Sequence, residues 1–180
     1  MKSHARVVVI GGGVVGVSTL YHLAKKGWSD VVLVERKEFT SGSTWHAAGL
    51  LPLFNMSYSV GQIHKYSVKF YQELQEETGM DVGFRNVSNI RLASNQDRMD
   101  EFRQYAGVVS TIGVQVDFLT PEQVLDYGPM ANIDGLVGAI RHPEDGYIQP
   151  ADLTQALARG ARDSGAEIYR NTAVAAITRS

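Results

Sequence analysis

The chain opens on a β-branched run, Val7-Val8-Val9-Ile10, that ends in Gly11-Gly12-Gly13. A short unbroken apolar run bounded by glycine is the pattern of a strand buried on both faces, as in a parallel sheet. From Val14 to Lys26 the apolar positions Val17, Leu20, Tyr21, Leu23 and Ala24 recur at helical spacing. Two lysines then precede Gly27, a residue suited to close a helix. Val31-Val32-Leu33-Val34 repeats the buried-strand pattern. Residues 1–35 thus predict strand, turn, helix and strand, which implies a parallel sheet with a right-handed crossover.

The pattern then changes. Thr40 to Leu53 has no period and is rich in Gly, Ser, Thr and Ala, which predicts a long loop with a helical turn at Trp45 to Ala48. Val60 to Glu77 reads as a helix and Phe84 to Ala93 as one or two strands. Asn95 caps a helix running to about Ile112, and Val114 to Leu119 alternates like a half-exposed strand. Thr120-Pro121-Glu122-Gln123 is a helix start, Leu136 to Arg141 a strand, and His142 to Gly146 a turn. A helix from Ala151 to Asp163 follows Pro150, and strands are expected at Glu167 to Arg170 and Ala173 to Thr178. The fold class is α/β with a parallel sheet.

Composition narrows the chemistry. The 180 residues include 18 Gly, 5 Pro and no Cys, with 44% apolar and 20% charged positions. That balance excludes a disordered or collagen-like chain, and the lack of cysteine excludes a disulfide scaffold, a thiolate metal site and a catalytic thiol. The formal charge of −2 and the absence of a basic block give nucleic acid no foothold. No apolar run reaches a membrane-spanning length, and cytoplasmic residence without a metal is the expectation.

Gly11-Gly12-Gly13-Val14-Val15-Gly16 fits G-x-G-x-x-G in the strand-turn-helix setting that the pattern requires. Gly11 permits the tight turn, Gly13 lets the backbone approach a diphosphate, and Gly16 lets helix and strand pack closely. Glu35 ends the second strand at about the 20-residue distance expected of the acid that receives ribose hydroxyls. A carboxylate there disfavours a ligand with a 2′-phosphate. The fingerprint alone leaves FAD and NAD both open.

The turn, Glu35-Arg36 and the segment Ser41-Gly42-Ser43-Thr44-Trp45-His46-Ala47-Ala48-Gly49-Leu50 together resemble the dimethylglycine and sarcosine dehydrogenase family, within the D-amino-acid-oxidase-like flavoproteins. The resemblance implies FAD as cofactor, bound by a Rossmann-like FAD-binding domain with an incomplete parallel sheet that carries the beginning of an inserted α+β substrate domain; the expected division is 1–60 with 143–180 for the first domain and 61–142 for the second. It implies FAD contacts from Val14 and Val15, from Glu35 and Arg36, from the loop Gly42 to Leu50, and from Val174. It implies a covalent bond between His46 and the 8α carbon of FAD. Pro143-Glu144-Asp145-Gly146-Tyr147-Ile148-Gln149-Pro150 is similar to the family's P-x-D-G-x-φ-x-P return into the FAD domain, with Gln149 where the family often has Asp. The substrate class implied is a small N-methylated amino acid, dimethylglycine or sarcosine, oxidised by hydride transfer to flavin N5. Relatives carry a further FAD-domain strand, most of the substrate domain and often a folate-binding half, so the expectation is that these residues are part of a longer protein, inactive alone.

A different FAD-dependent amine or amino-acid oxidase is an alternative within the same chemistry, and two readings of other classes stand beside it. A regulatory subunit of pyruvate dehydrogenase phosphatase shares the fold without catalysis, and an NAD-dependent dehydrogenase would use the same turn. His46 argues against the first and the Ser41 to Leu50 loop against the second. No general base is legible. Arg85, Arg91 and Arg141 are candidates for a substrate carboxylate by location only. His22, His64, His142 and the aromatics from Tyr58 to Tyr71 read first as packing or surface residues. The electron acceptor and oligomeric state have no signature in the sequence.

Overall fold

A computed structural model describes residues 1–179, and these divide into two compact units. The first comprises residues 1–49, 71–84 and 148–179, and the second residues 50–70 and 85–147. The division differs from the expected one. Residues 50–60 and 143–147 belong with the second unit because both segments supply strands to its small sheet, whereas 71–84 belongs with the first.

In the first unit, β1 (Val7–Ile10), β2 (Val31–Val34) and β9 (Glu167–Tyr169) form a parallel sheet in the order β1-β2-β9. All four residues of the central β2 are buried. β1, at the edge of this sheet, alternates half-buried and exposed residues, with Val8 51% and Ile10 55% exposed. This corrects the expectation of a strand buried on both faces: within the described residues β1 has a ladder on one side only. Helix α1 (Val14–Lys25) buries Val17, Leu20, Tyr21 and Ala24, four of the five residues that the helical period selects, and leaves Leu23 half-buried. It packs against α5 (Pro150–Asp163), whose Gly160 leaves room for the Tyr21 ring. The Tyr21 hydroxyl donates to Glu77 Oε2 at 2.9 Å, and Lys25 pairs with the same oxygen at 3.0 Å. Glu77 lies near the end of α2 (Tyr58–Thr78), which runs from the second unit into the first.

The expected strand at Ala173 to Thr178 does not form. The chain turns at Asn171, with φ 54°, and the Asn171 and Thr172 N–H groups donate to Lys37 O at 3.4 Å and to Glu35 O at 2.8 Å, so the ladder is not extended beyond this turn.

The second unit holds two antiparallel sheets. β5 (Asn89–Ala93), β7 (Gly138–His142) and β6 (Asp117–Leu119) form one, in the order β5-β7-β6. β3 (Leu50–Leu51), β8 (Gly146–Tyr147) and β4 (Arg85–Asn86) form the other. Helix α3 (Gln96–Ser110) is capped by Asn95, whose side chain accepts from Arg98 N–H, and buries Met99, Phe102, Tyr105 and Val109. The strand expected from Val114 starts only at Asp117, because Val114 N–H donates back to Val109 O and closes the end of α3. α4 (Pro121–Val124) starts with the reciprocal box between Thr120 and Gln123 and is one turn long. Among the described residues no helix is long and apolar enough to cross a membrane, and no group of His, Cys, Asp and Glu is arranged to hold a metal ion.

Candidate functional site

The site is built where β1 gives way to α1. Gly11 has φ 111°, a conformation that side-chain-bearing residues avoid, and its N–H donates to Val34 O at 2.9 Å. That bend turns the chain across the end of the sheet. One helical turn later Gly16 rests on the same bend: a Cβ there would lie 2.1 Å from Gly11 O. Gly16 therefore sits behind the turn and sets how closely helix and strand approach, as its place in the motif predicts.

Helix α1 begins at Gly13 with no side-chain cap, and its first turn has no acidic residue. The N-terminal amides and the positive end of the helix dipole are thus left for an external anion. One of these amides has an internal partner: Val14 N–H donates to Thr44 Oγ1 at 3.0 Å. Thr40 N–H donates to Gly12 O at 3.1 Å, so the 40–44 segment is fastened over the glycine turn from both ends. Residues 43–46 form a 3-10 turn, matching the expected helical turn to within two residues.

Glu35 supplies the negative wall. Gly12 N–H donates to its Oε2 at 2.6 Å and Lys37 N–H to its Oε1 at 2.7 Å. Both oxygens are fixed by backbone and keep lone pairs for further donors. A cleft of about 380 Å³ follows, lined by the glycine turn, Glu35, Arg36 and residues 40–44. A second cleft of about 390 Å³ shares Gly11, Glu35 and Arg36 and is lined further by Ile10, Val34, Thr172, Ala173 and Val174. An anion-binding helix start beside a fixed carboxylate, with an apolar cleft adjoining, fits the diphosphate, ribose and base of a dinucleotide in sequence.

Of the residues expected to bind the cofactor, Gly11, Gly13, Val14, Val15, Glu35, Arg36, Gly42, Ser43 and Thr44 line the first cleft, and Val174 lines the second. Trp45, His46, Ala47 and Ala48 line neither, and all four are exposed. Gly49 O accepts from Ile148 N–H at 2.8 Å, joining the end of the loop to the return segment, and Leu50 begins β3 of the second unit. Gly12, Thr40, Ser41, Thr172 and Ala173 also line the clefts and were not singled out by the motif. The repeated small side chains around the two turns were the available signal.

The residues considered for a substrate carboxylate are partly engaged. Arg141 pairs with Asp117 at 2.8 Å and lies over Tyr127, 4.3 Å from the ring centroid. Arg91 lies over Phe54 at 4.0 Å. His22 stands edge-on to Tyr21, and His142 is fully buried.

Known proteins place this geometry. The chain is 45% identical over 164 residues to the mitochondrial dimethylglycine dehydrogenase of Rattus norvegicus, covering 91% of this chain and 19% of the relative. It is 36% identical to the mitochondrial pyruvate dehydrogenase phosphatase regulatory subunit of Mus musculus, over 97% of this chain and 20% of that protein. It spans about a fifth of the length of these relatives. The crystal structure of L-proline dehydrogenase from P. horikoshii superposes with a TM-score of 0.88 at 27% identity, over 95% of this chain and 45% of that one. The family of FAD-dependent oxidoreductases named for D-amino-acid oxidase matches residues 6–180, and the chain belongs to that family.

Proposed function

We propose that these residues supply the FAD-binding part, and the start of the substrate domain, of an enzyme that oxidatively demethylates an N-methylated glycine. The observation that carries the reading is the acid-free start of α1, whose N-cap Gly13 offers no capping side chain, standing beside the doubly anchored carboxylate of Glu35. The 45% identity to a dimethylglycine dehydrogenase supports the substrate class. When bound, FAD supplies the two-electron chemistry that no side chain can perform.

The residues' own work is recognition. The amides at the start of α1 donate to the diphosphate. Glu35 accepts the ribose hydroxyls through oxygens already oriented by Gly12 and Lys37 amides. Thr44 holds Val14 and thereby keeps the flavin-side loop against the turn. His46, exposed at the end of the 3-10 turn, is the residue to which we assign the covalent flavin.

Two measurements test this. Wild-type holoprotein, denatured and acid-precipitated, is expected to keep its yellow colour in the pellet, and His46→Ala to release it to the supernatant. Colour released from the wild type overturns the covalent assignment. Bleaching of the flavin band of the full-length protein by dimethylglycine or sarcosine supports the substrate class. No bleaching by any secondary or tertiary amine favours the non-catalytic reading that the regulatory-subunit relative represents.

A further inference from the structure

Among the described residues, four buried side-chain atoms with no hydrogen-bond partner fall in one neighbourhood of the second unit: Asn89 Oδ1, Arg91 Nε, His142 Nδ1 and Asp145 Oδ2. Asn89 and His142 are direct cross-strand partners of β5 and β7, so their side chains share a face, and Arg91 lies two residues along β5 on that same face. Asp145 follows in the turn after β7, where its N–H donates to His142 O at 3.3 Å. His142 and Asp145 are 0% and 1% exposed. Buried polar groups are as a rule paired, so four orphans together point to a missing shared partner.

Their roles can be worked out. Tyr105 OH donates its one proton to Leu53 O at 2.9 Å. At the 3.0 Å contact with His142 Nε2 the tyrosine oxygen must therefore accept, and Nε2 carries the proton. Burial, reinforced by the Arg91 charge, holds His142 down at about 4, so at neutral pH the ring is uncharged and Nδ1 bears a lone pair. Asp145 Oδ1 already accepts from Leu53 N–H at 2.8 Å. The neighbourhood thus offers three acceptors, Asn89 Oδ1, His142 Nδ1 and Asp145 Oδ2, and one donor, Arg91 Nε–H.

The guanidinium, fixed over Phe54, repels a cation. The three acceptors repel an anion. What matches is a small neutral molecule that accepts from Arg91 Nε–H and donates to two of the three acceptors, and water is that molecule. We propose that Asn89, Arg91, His142 and Asp145 form an internal water-binding site that joins β5, β7 and the turn after β7. This water completes a hydrogen-bonded path from Arg91 through the His142 ring and Tyr105 to the Leu53 carbonyl.

High-resolution crystallography of the flavin-loaded full-length protein tests the site. The expected result is one solvent molecule within about 3.2 Å of Arg91 Nε and of at least two of the three acceptors, persisting after dialysis against a chelator. A direct contact between Arg91 Nε and Asp145 Oδ2 with no solvent between them overturns the proposal. So does a metal ion identified by anomalous scattering. Independently, oxygen-17 relaxation dispersion counts long-lived waters. The double variant Asn89→Leu/His142→Phe leaves Asp145 Oδ2 as the single acceptor of the set and is expected to remove one long-lived water from the count. An unchanged count with the fold intact overturns the proposal.

Discussion

Gly16→Ala is expected to abolish FAD binding and to destabilise the first unit. The added Cβ would lie 2.1 Å from the carbonyl oxygen of Gly11, an atom of the backbone that cannot rotate aside. Either α1 moves away from β1 or the bend at Gly11 opens, and both displace the amides that face the cleft. Overpacking of this kind costs typically about 1–3 kcal/mol, and a rigid backbone neighbour places it at the upper end. Gly107 provides the opposite case. It lies inside α3, and a Cβ there meets nothing within 4 Å. Gly107→Ala should raise stability by about 0.5–1 kcal/mol, since alanine loses less freedom in a helix. Urea unfolding of both variants, with flavin content of the purified proteins, checks the pair. Normal flavin content in Gly16→Ala would show that helix and strand need not approach so closely.

The contrast explains why this part of the molecule was legible in the sequence. Turn geometry and helix start are local chemistry: Gly11 is required by its backbone angle and Gly16 by its contact distance within a single strand-helix-strand unit, and Glu35 is held at the end of the same unit by the Gly12 and Lys37 amides. The buried β2 and the Tyr21 face of α1 followed from periodicity for the same reason. Where the outcome depended on distant pairing, the pattern misled. The β-branched run of β1 predicts burial on both faces, yet its neighbours leave Val8 and Ile10 exposed. Ala173 to Thr178 has strand composition, but the left-handed turn at Asn171 directs it along the cleft rather than into a ladder. The domain division slipped at residues 50–60 because a two-residue strand such as β3 has no period to read. The polar cluster of the second unit was invisible for a related reason. Asp145 sits in the P-x-D-G return and His142 just before it, but Asn89, Arg91 and Tyr105 reach them from other elements. Only the fold brings these groups together.

That cluster makes the acid stability of the protein depend on two opposed titrations. Burial pushes the Asp145 carboxyl up to about 6, with Arg91 and the Leu53 amide acting against it, while burial and Arg91 hold His142 down at about 4. The ordinary values are 3.8 for the carboxyl and 6.5 for the imidazole. Between about pH 4 and 6 the native carboxyl holds a proton that the unfolded one has released, so acidification stabilises the fold through Asp145. Over nearly the same range the unfolded imidazole holds a proton that the native one refuses, so acidification destabilises through His142. Each contribution amounts to at most about 3 kcal/mol, since a tenfold change in proton affinity on folding is worth about 1.4 kcal/mol. The two nearly cancel in the wild type, and single substitutions separate them. Asp145→Asn, which keeps an acceptor for Leu53 N–H, should lose stability relative to wild type as the pH falls from 6.5 to 4. His142→Phe, which keeps the ring against Phe54, should gain stability relative to wild type over the same range. Denaturant unfolding at half-unit pH intervals measures both slopes. Two variant curves that run parallel to the wild type would mean that neither group changes its proton affinity on folding. Slopes of opposite sign would show that the protein balances a buried acid against a buried base to hold the second unit steady in mild acid.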